Sequence, residues 1–189
     1  MQTVELLLDD LTDQAVRGEW QRLADAGLPS QALHTGSTNA PHITLAVARA
    51  IPEPVEQAVA VLAGALPLPV ELGALVVFGS RRLALARLVV AQSGLLTLHA
   101  GTAAALQECP GVPQYLVPGR WTPHATLARG LSPAQVAIAL ETLGQVEPLS
   151  GSVTALRRWD SEQRRAWLLG PAPPNEEPST TRSLGPGGQ

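Results

Sequence analysis

A hexapeptide occurs twice in this chain of 189 residues, as Pro-His-Ile-Thr-Leu-Ala at 41–46 and as Pro-His-Ala-Thr-Leu-Ala at 123–128. The two copies differ at one position, and each places a histidine two residues before a threonine. On a β-strand, side chains at i and i+2 point to the same face. Each copy therefore predicts a half-buried strand that presents an imidazole beside a hydroxyl. The two pairs are His42 with Thr44 and His124 with Thr126.

The surroundings of the two copies also repeat. Each half of the chain has the pattern helix, His-x-Thr strand, helix, strand, strand, and the two histidines lie 82 positions apart. This internal duplication predicts the α+β class: two pseudo-twofold lobes whose duplicated antiparallel sheets face a central cleft, with helices on the outside. We expect one domain over residues 1–171. Residues 172–189, rich in Pro, Gly, Ser, Thr and Glu, are expected to form a disordered tail.

Apolar periodicity and the placement of Pro and Gly predict the individual elements. The predicted helices are one that ends at Gly27, one that Pro54 opens, one over 94–108 capped by Ser93, and one from a capping box at Ser132 to Gly144. The predicted strands are 3–8, 41–49, 70–78, 82–91, 121–129, 149–159 and 165–170. Aromatic residues are only 3% of the chain, so the core is expected to consist of Leu, Val and Ala.

Composition limits the partners. The formal net charge is −3, the isoelectric point is near 5.8, and all 13 basic residues are arginine. An extended contact with duplex DNA or RNA needs a large basic surface, so this charge favours a small ligand or a single RNA end. The lone Cys109 fits a reducing compartment. Acidic residues interrupt the first apolar run, and no run approaches the roughly 18 residues of a membrane span, so we expect a cytoplasmic protein.

The doubled His-x-Thr pair suits a phosphodiester. Near neutral pH one imidazole can be neutral and act as a base while the other is protonated and acts as an acid, and hydroxyls can bind phosphate oxygens. A lone strand histidine is more often held by nearby polar groups, and it is the repetition of the whole hexapeptide that favours a paired site. A metal site is not expected, because His34, His99 and Cys109 do not stand at ligand-like spacing.

At these residues the chain resembles the 2H phosphoesterases, and within them the bacterial RNA 2′,3′-cyclic phosphodiesterases, which are also called 2′-5′ RNA ligases. The resemblance rests on the doubled His-x-Thr-Leu, each copy preceded by Pro and followed by Ala, and covers most of residues 3–171. It implies the same bilobal fold, with His124 as base and His42 as acid. It also implies that Arg129, five residues after His124, binds phosphate. The first half has Arg49 seven residues after its histidine, so the duplication does not preserve this arginine.

Other residues carry two interpretations. Trp121 and Tyr115 precede the second copy and can stack on a base, a contact worth about 1–3 kcal/mol, although Trp121 can equally fill the core. Three further aromatic residues are expected in the core, namely Phe78, Trp159 and Trp167. Of the remaining histidines, His99 is expected to be a structural or surface residue and His34 a loop residue. Four arginines flank the last hairpin and are expected to form a solvated edge or an RNA-contacting rim: Arg157, Arg158, Arg164 and Arg165.

The sequence and the resemblance together predict a metal-independent phosphodiesterase that hydrolyses a 2′,3′-cyclic phosphate at an RNA or nucleotide end. In reverse, the same steps join RNA ends by a 2′-5′ bond. The expected partner is an RNA terminus or a small nucleotide, with no cofactor, metal or membrane, and the protein is expected to be a monomer. Two alternatives remain: a module that binds nucleotide or RNA ends without turnover, and another 2H activity, on ADP-ribose 1″,2″-cyclic phosphate or on 2′-5′ oligonucleotides.

Overall fold

In the computed structural model, which describes residues 1–170, four helices pack against seven strands. The strands are β1 (Gln2–Leu8), β2 (His42–Ala48), β3 (Leu68–Phe78), β4 (Leu83–Val89), β5 (His124–Leu131), β6 (Leu149–Asp160) and β7 (Arg165–Leu169). The helices are α1 (Asp10–Asp25), α2 (Glu53–Val61), α3 (Ser93–Ala105) and α4 (Pro133–Leu143). The predicted tail over 172–189 lies outside the described residues.

All the strands pair antiparallel in one sheet of order β1-β2-β5-β4-β3-β6-β7, and a further pairing of β1 with β6 closes this order on itself. Strand β6 pairs with β3 through its first part and with β7 through its second, while β1 lies along its other edge. Between β2 and β5, the paired residues are Ile43 and Ala125. The two predicted lobes are thus halves of one sheet, which share β6 and meet at this pair.

The helices cover the sheet in an exchanged arrangement. Helix α1, which precedes β2 in the chain, packs against β5 and α4, whereas α3, which precedes β5, packs against β2 and α2. Each of the two strands that carry the repeated hexapeptide is therefore covered by the helix that precedes the other one. The predicted α+β class with outer helices is confirmed.

The ends of the helices test the capping signals that were predicted from the sequence. Helix α4 begins with the predicted capping box between Ser132 and Gln135 and ends at Gly144, whose φ is 64°. Gly27, with a φ of 71°, likewise follows the end of α1. The predicted cap of α3 is wrong. Gln92 occupies the N-cap position without a side-chain hydrogen bond, because the helix begins one residue earlier than expected and already contains Ser93.

Gly151 in β6 lets the start of α1 lie directly against the sheet. A Cβ at this position would lie 1.9 Å from Thr12 Oγ1, so a larger residue would push the helix away. The close approach allows the Asp9 carboxylate to accept the Thr12 N–H at 3.0 Å and also the Ser152 N–H. Helix α1 is thereby fixed at its start. Further along the helix, Trp20 donates to a backbone carbonyl of the second hexapeptide, at Thr126.

The core is aliphatic, as the scarcity of aromatic residues predicts, and it takes Leu, Val, Ile and Ala from both halves of the sheet. Strand β5 begins at His124 rather than at 121, because Pro123 has no N–H to contribute to a ladder. Its carbonyl still accepts the Val89 N–H at 2.9 Å. Within residues 1–170, no helix has the length and apolar character needed to cross a membrane.

Candidate active site

The two hexapeptides meet where β2 and β5 pair. Extending the antiparallel register of Ile43 and Ala125 by one residue in each direction sets His42 opposite Thr126 and Thr44 opposite His124. Residues opposite each other in such a pair have Cβ atoms about 5 Å apart. All four polar side chains line one cleft of about 850 Å³. The structure thus brings together both His-x-Thr pairs that the sequence singled out.

Each of these strands has a β-bulge at the leucine that follows the threonine. In β2 the partners of Val4 and Glu5 are Ala46 and Thr44, so Leu45 is left as the extra residue. In β5 the partners of Leu85 and Ala86 are Ala128 and Thr126, so Leu127 is the extra residue. The bulge breaks the alternation of the strand, which buries both Leu and Ala of each copy. The Leu and Ala that follow each threonine are therefore both core residues.

Two tryptophans donate hydrogen bonds to these bulged segments. The indole N–H of Trp121 donates to the Thr44 carbonyl at 3.1 Å, and that of Trp20, from α1, donates to the Thr126 carbonyl at 3.0 Å. A bulge removes a residue from the regular ladder, so an external donor is needed there for the carbonyl. Each threonine of the candidate site is therefore held by an indole from outside its own strand pair.

Both imidazoles are oriented by the backbone in the same way. The Nδ1 of His42 lies 2.8 Å from the Ala40 carbonyl, and the Nδ1 of His124 lies 2.8 Å from the Thr122 carbonyl. A carbonyl can only accept, so each Nδ1 carries the proton of that hydrogen bond. The Nε2 atom of each ring is then the one available for proton transfer, as acceptor in a neutral ring and as donor in a charged one.

The surroundings of His124 favour its neutral form. Burial lowers the pKa of His124, the positive charges of Arg129 and of a protonated His42 lower it further, and the hydrogen bond to the Thr122 carbonyl partly opposes them. Part of the burial comes from Phe78, whose ring centroid lies 4.5 Å from that of the imidazole. His124 therefore loses its proton at a lower pH than an ordinary histidine.

Arg129 reaches the site because of the bulge. It comes three residues after Thr126, an odd offset that would point away from the cleft in a regular strand. The extra residue returns it to the cleft face, where its Nη2 donates to Thr126 Oγ1 at 3.3 Å. The same offset in the first copy leads to Val47, which also lines the cleft. Arg49 lies outside the cleft lining, exposed and packed over Gly111.

The aromatic residues of the cleft are more numerous than the sequence predicted. Trp121 stacks on the buried His99 with centroids 4.0 Å apart and also lines the cleft, so it combines its two predicted interpretations. Tyr115 lines the cleft and is 66% exposed. Two core predictions are wrong, because Phe78 and Trp159 are half-buried in the cleft wall. His34, predicted only as a loop residue, also lines the cleft, whereas Trp167 packs against the core as expected.

The prediction of a solvated basic edge is wrong for two of the four arginines. Arg157 and Arg158 are buried and form ion pairs with Glu5 and Glu56. The physical reason is that β6 is paired along both edges over this stretch, so it is not an edge strand. Arg164 and Arg165, at the turn, are exposed.

Among the described residues, no group of three or more His, Cys, Asp or Glu side chains is arranged to hold a metal ion. His99 is far from ligand geometry, since it is buried and its Nε2 lies 2.9 Å from the Leu116 carbonyl. Cys109 is buried, and burial raises the pKa of its thiol.

Comparison with solved structures found three of low identity that match most of this chain. The apo structure of E. coli LigT is 19% identical, with a TM-score of 0.50, and the match covers 89% of this chain and 93% of that one. A structure described as a phosphoesterase is 21% identical, with a TM-score of 0.49 over 89% and 97% of the two chains. For E. coli LigT complexed with 3′-AMP the identity is 19%, the TM-score 0.48 and the coverage 89% and 97%. The likeness to apo LigT shows a shared fold.

No curated protein matches the sequence. The model of the 2′-5′ RNA ligase superfamily, however, matches residues 12–165, which is more than half of the chain. The matched range contains both hexapeptides, both bulges and the two tryptophans that hold them. The resemblance read from the doubled motif is thus confirmed at the level of the family: this chain belongs to the 2′-5′ RNA ligase superfamily.

Proposed function

We propose that this protein is a phosphodiesterase that hydrolyses a 2′,3′-cyclic phosphate at an RNA or nucleotide end, with no metal ion. The observation that carries the proposal is the pair of imidazoles in one cleft, each with Nδ1 engaged by a backbone carbonyl and Nε2 left for the substrate. A phosphate between them would have one ring on each side, as acid–base displacement at phosphorus requires.

In this mechanism His124 is the general base. Its pKa is lowered, mainly by burial, so at neutral pH its Nε2 is free to take a proton from the attacking water. His42 is the general acid, and its Nε2 gives a proton to the ribose oxygen as the bond from that oxygen to phosphorus breaks. The product is a phosphomonoester beside a free hydroxyl. With the 5′-hydroxyl of a second RNA as the nucleophile in place of water, and the 3′ oxygen as the leaving group that His42 protonates, the same steps would form a 2′-5′ bond.

The remaining polar groups would bind the phosphate. The hydroxyls of Thr44 and Thr126 stand beside the imidazoles and can donate to the non-bridging oxygens, where charge accumulates in the transition state. Arg129, which already contacts Thr126 Oγ1 at 3.3 Å, can add a guanidinium to the same oxygens. These interactions strengthen as charge builds on the phosphate, so they support kcat rather than substrate binding alone.

The test is hydrolysis of a panel of cyclic phosphates, with the position of the product phosphate read by phosphorus NMR. We expect turnover of 2′,3′-cyclic nucleotides or RNA ends in EDTA, and a loss of kcat of about 10²–10⁴-fold in each of His42→Ala and His124→Ala, with an intact fold by circular dichroism. Turnover close to that of the parent protein in both variants would contradict the mechanism. Hydrolysis of only ADP-ribose 1″,2″-cyclic phosphate or 2′-5′ oligonucleotides, or binding with no product, would contradict the proposed substrate.

A further inference from the structure

The pseudo-twofold symmetry of the cleft is broken by charge. The residue paired with Thr44 in the neighbouring strand is Glu5, and the residue paired with Thr126 is Ala86. One strand further on, Arg157 is opposite Glu5, whereas Val76 is opposite Ala86. Arg129 on the second side corresponds to Val47 on the first. A carboxylate therefore stands beside His42 alone, and an arginine of the cleft wall stands beside His124 alone.

Glu5 is held rigidly in this position. It is 4% exposed, its Oε2 accepts from Arg157 Nε at 2.9 Å and Nη2 at 2.6 Å, and its Oε1 accepts from Thr3 Oγ1 at 2.7 Å. Arg157 is itself fixed by donating to the Thr38 carbonyl at 2.9 Å. The remaining direction of Oε1 faces His42, whose Nε2 lies 3.6 Å away. This is ion-pair distance to the very nitrogen that the mechanism requires to carry a proton.

We propose that Glu5 is a positioning residue that keeps the proton on His42 Nε2, and so decides which of two near-equivalent histidines is the acid. This inference rests on the proposed function and deepens it. A negative charge within about 4–6 Å favours the charged form of an imidazole. Arg157 compensates much of the carboxylate's charge, but it bonds to Oε2, whereas Oε1 is the oxygen nearer to His42.

Several charged or titratable groups line the cleft that contains His42, or are bonded to a residue that does. Together they determine the electrostatic potential at its imidazole ring. They are Glu5 from β1, Arg157 bonded to it from β6, His124 and Arg129 from β5, His34 from the segment before β2, and Tyr115 and Arg120 from the segment before β5. Of these, Glu5 is the one with an ionic contact to the imidazole. Its oxygen therefore has the largest effect per unit of charge, because Coulomb energy falls with distance.

The sign of the effect follows from the role of His42. An acid must be protonated, so activity is lost on the alkaline side as His42 gives up its proton. Replacing the Glu5 carboxylate by a neutral amide removes the charge that favours the protonated ring, so the proton is lost at a lower pH. The alkaline limb of the kcat profile should then move toward acid, while the acid limb, which belongs to His124, should stay.

The experiment compares Glu5→Gln with the parent protein, using a 2′,3′-cyclic nucleotide as substrate. We expect kcat at alkaline pH to fall by about tenfold, while kcat on the acid side stays the same. Glu5→Asp, which keeps the charge for Arg157 and draws it back from the ring, should shift the limb less in the same direction. Glu56→Gln, which removes the carboxylate of the other β6 ion pair outside the cleft lining, is the matched control and should leave both limbs in place.

A titration that needs no turnover separates this inference from the proposed function. The His42 ring resonance, assigned by its absence in His42→Ala, should titrate at a lower pH in Glu5→Gln than in the parent protein. Equal titration in the two proteins would overturn the inference even if cyclic phosphates are hydrolysed, and so would a shift of the acid limb instead of the alkaline one. A shifted resonance in a protein that hydrolyses none of the cyclic phosphates would support the pairing and reject the function.

Discussion

The two imidazoles of the cleft are identical groups with identical backbone anchors, so their chemical difference must come from neighbouring side chains. His124 has the phenyl ring of Phe78 and the guanidinium of Arg129 close by, and both favour a neutral ring. His42 instead has the carboxylate of Glu5, whose Oε1 lies 3.6 Å from its Nε2. At the residue scale, two side chains that the duplication did not copy, Glu5 beside His42 and Arg129 beside His124, distinguish the surroundings of the two imidazoles.

This asymmetry gives a prediction for Arg129. Burial is the main cause of the lowered pKa of His124, and the positive charge of Arg129 contributes in the same direction. In Arg129→Gln that charge is gone, so the pKa of His124 should rise and the base should become protonated at a higher pH. The acid limb of the kcat/KM profile should move to higher pH, and KM should rise with the loss of a phosphate contact.

The control for this variant is Arg49→Gln, which removes an exposed arginine near the end of the corresponding strand but outside the cleft lining. Its profile should superimpose on that of the parent protein. An acid limb that moves equally in both variants would mean that overall charge, rather than the local guanidinium, controls His124.

At the scale of the elements, the hydroxyl and imidazole of each copy are placed by a bulged strand and an indole that holds it. The indole of Trp20 is the cleaner of the two to test, because Trp20 is buried in α1 and outside the cleft lining, while Trp121 itself faces the cleft. In Trp20→Phe the Thr126 carbonyl loses its donor at 3.0 Å. An unsatisfied buried group of this kind costs about 1–3 kcal/mol.

We therefore expect Trp20→Phe to lower kcat by about tenfold with little change in KM, since the bulge that carries Thr126 relaxes although no substrate contact is removed. Steady-state kinetics, together with the free energy of unfolding from urea titration, would measure both effects. Val16→Ala, on the same buried face of α1, removes packing but no hydrogen bond. If it lowers kcat as much as Trp20→Phe does, the indole hydrogen bond has no special role.

The bulge also marks a limit of reading elements from sequence. The repeated hexapeptide predicts two strands and the side chains that share a face, because that depends on local periodicity. Which residue is left over depends on the register of the partner strand, and that register is a tertiary property. Counting along a regular strand would turn Arg129 away from the cleft, and the bulge is what returns it to the cleft face. The counterpart of Arg129 in the first copy is Val47, at the same offset of three residues from the threonine, rather than Arg49.

At the scale of the whole molecule, the same limit explains the buried arginines of β6. Composition alone suggests a solvated edge for Arg157 and Arg158, and only the closure of the sheet through β1 and β6 makes that strand internal. Their carboxylate partners, Glu5 and Glu56, stand 152 and 102 residues away in the chain. The prediction that Phe78 lies in the core was wrong for a related reason, because an apolar residue in a cleft wall has the same sequence signature as one in the core. The duplication itself, by contrast, could be predicted from the sequence, because it depends only on the order of the elements and the spacing of the two motifs.

The net charge of the molecule predicts how it binds a longer RNA. The chain carries −3 overall, and among the arginines of residues 1–170 only Arg120 and Arg129 line the cleft, so few phosphates can be neutralised at once. For a single strand, the logarithm of the affinity falls linearly with the logarithm of the salt concentration, and the slope is proportional to the number of phosphates neutralised. For an RNA oligonucleotide with a 2′,3′-cyclic phosphate end, KM should rise by less than about tenfold between 50 and 200 mM salt. Proteins with 6–10 phosphate contacts lose about 10³–10⁵-fold in affinity over that range.

Parallel measurement with a 2′,3′-cyclic mononucleotide isolates the contribution of the upstream phosphates, because both substrates present the same reacting group to the cleft. The two salt dependences should be nearly equal, since an acidic surface offers the rest of the RNA chain little attraction. A KM that rises more than about a hundredfold for the oligonucleotide alone would require a basic track along the surface. The arginines that could supply it lie on the side of His124, at the β3–β4 turn (Arg81 and Arg82), so their replacement by Gln would then abolish the difference.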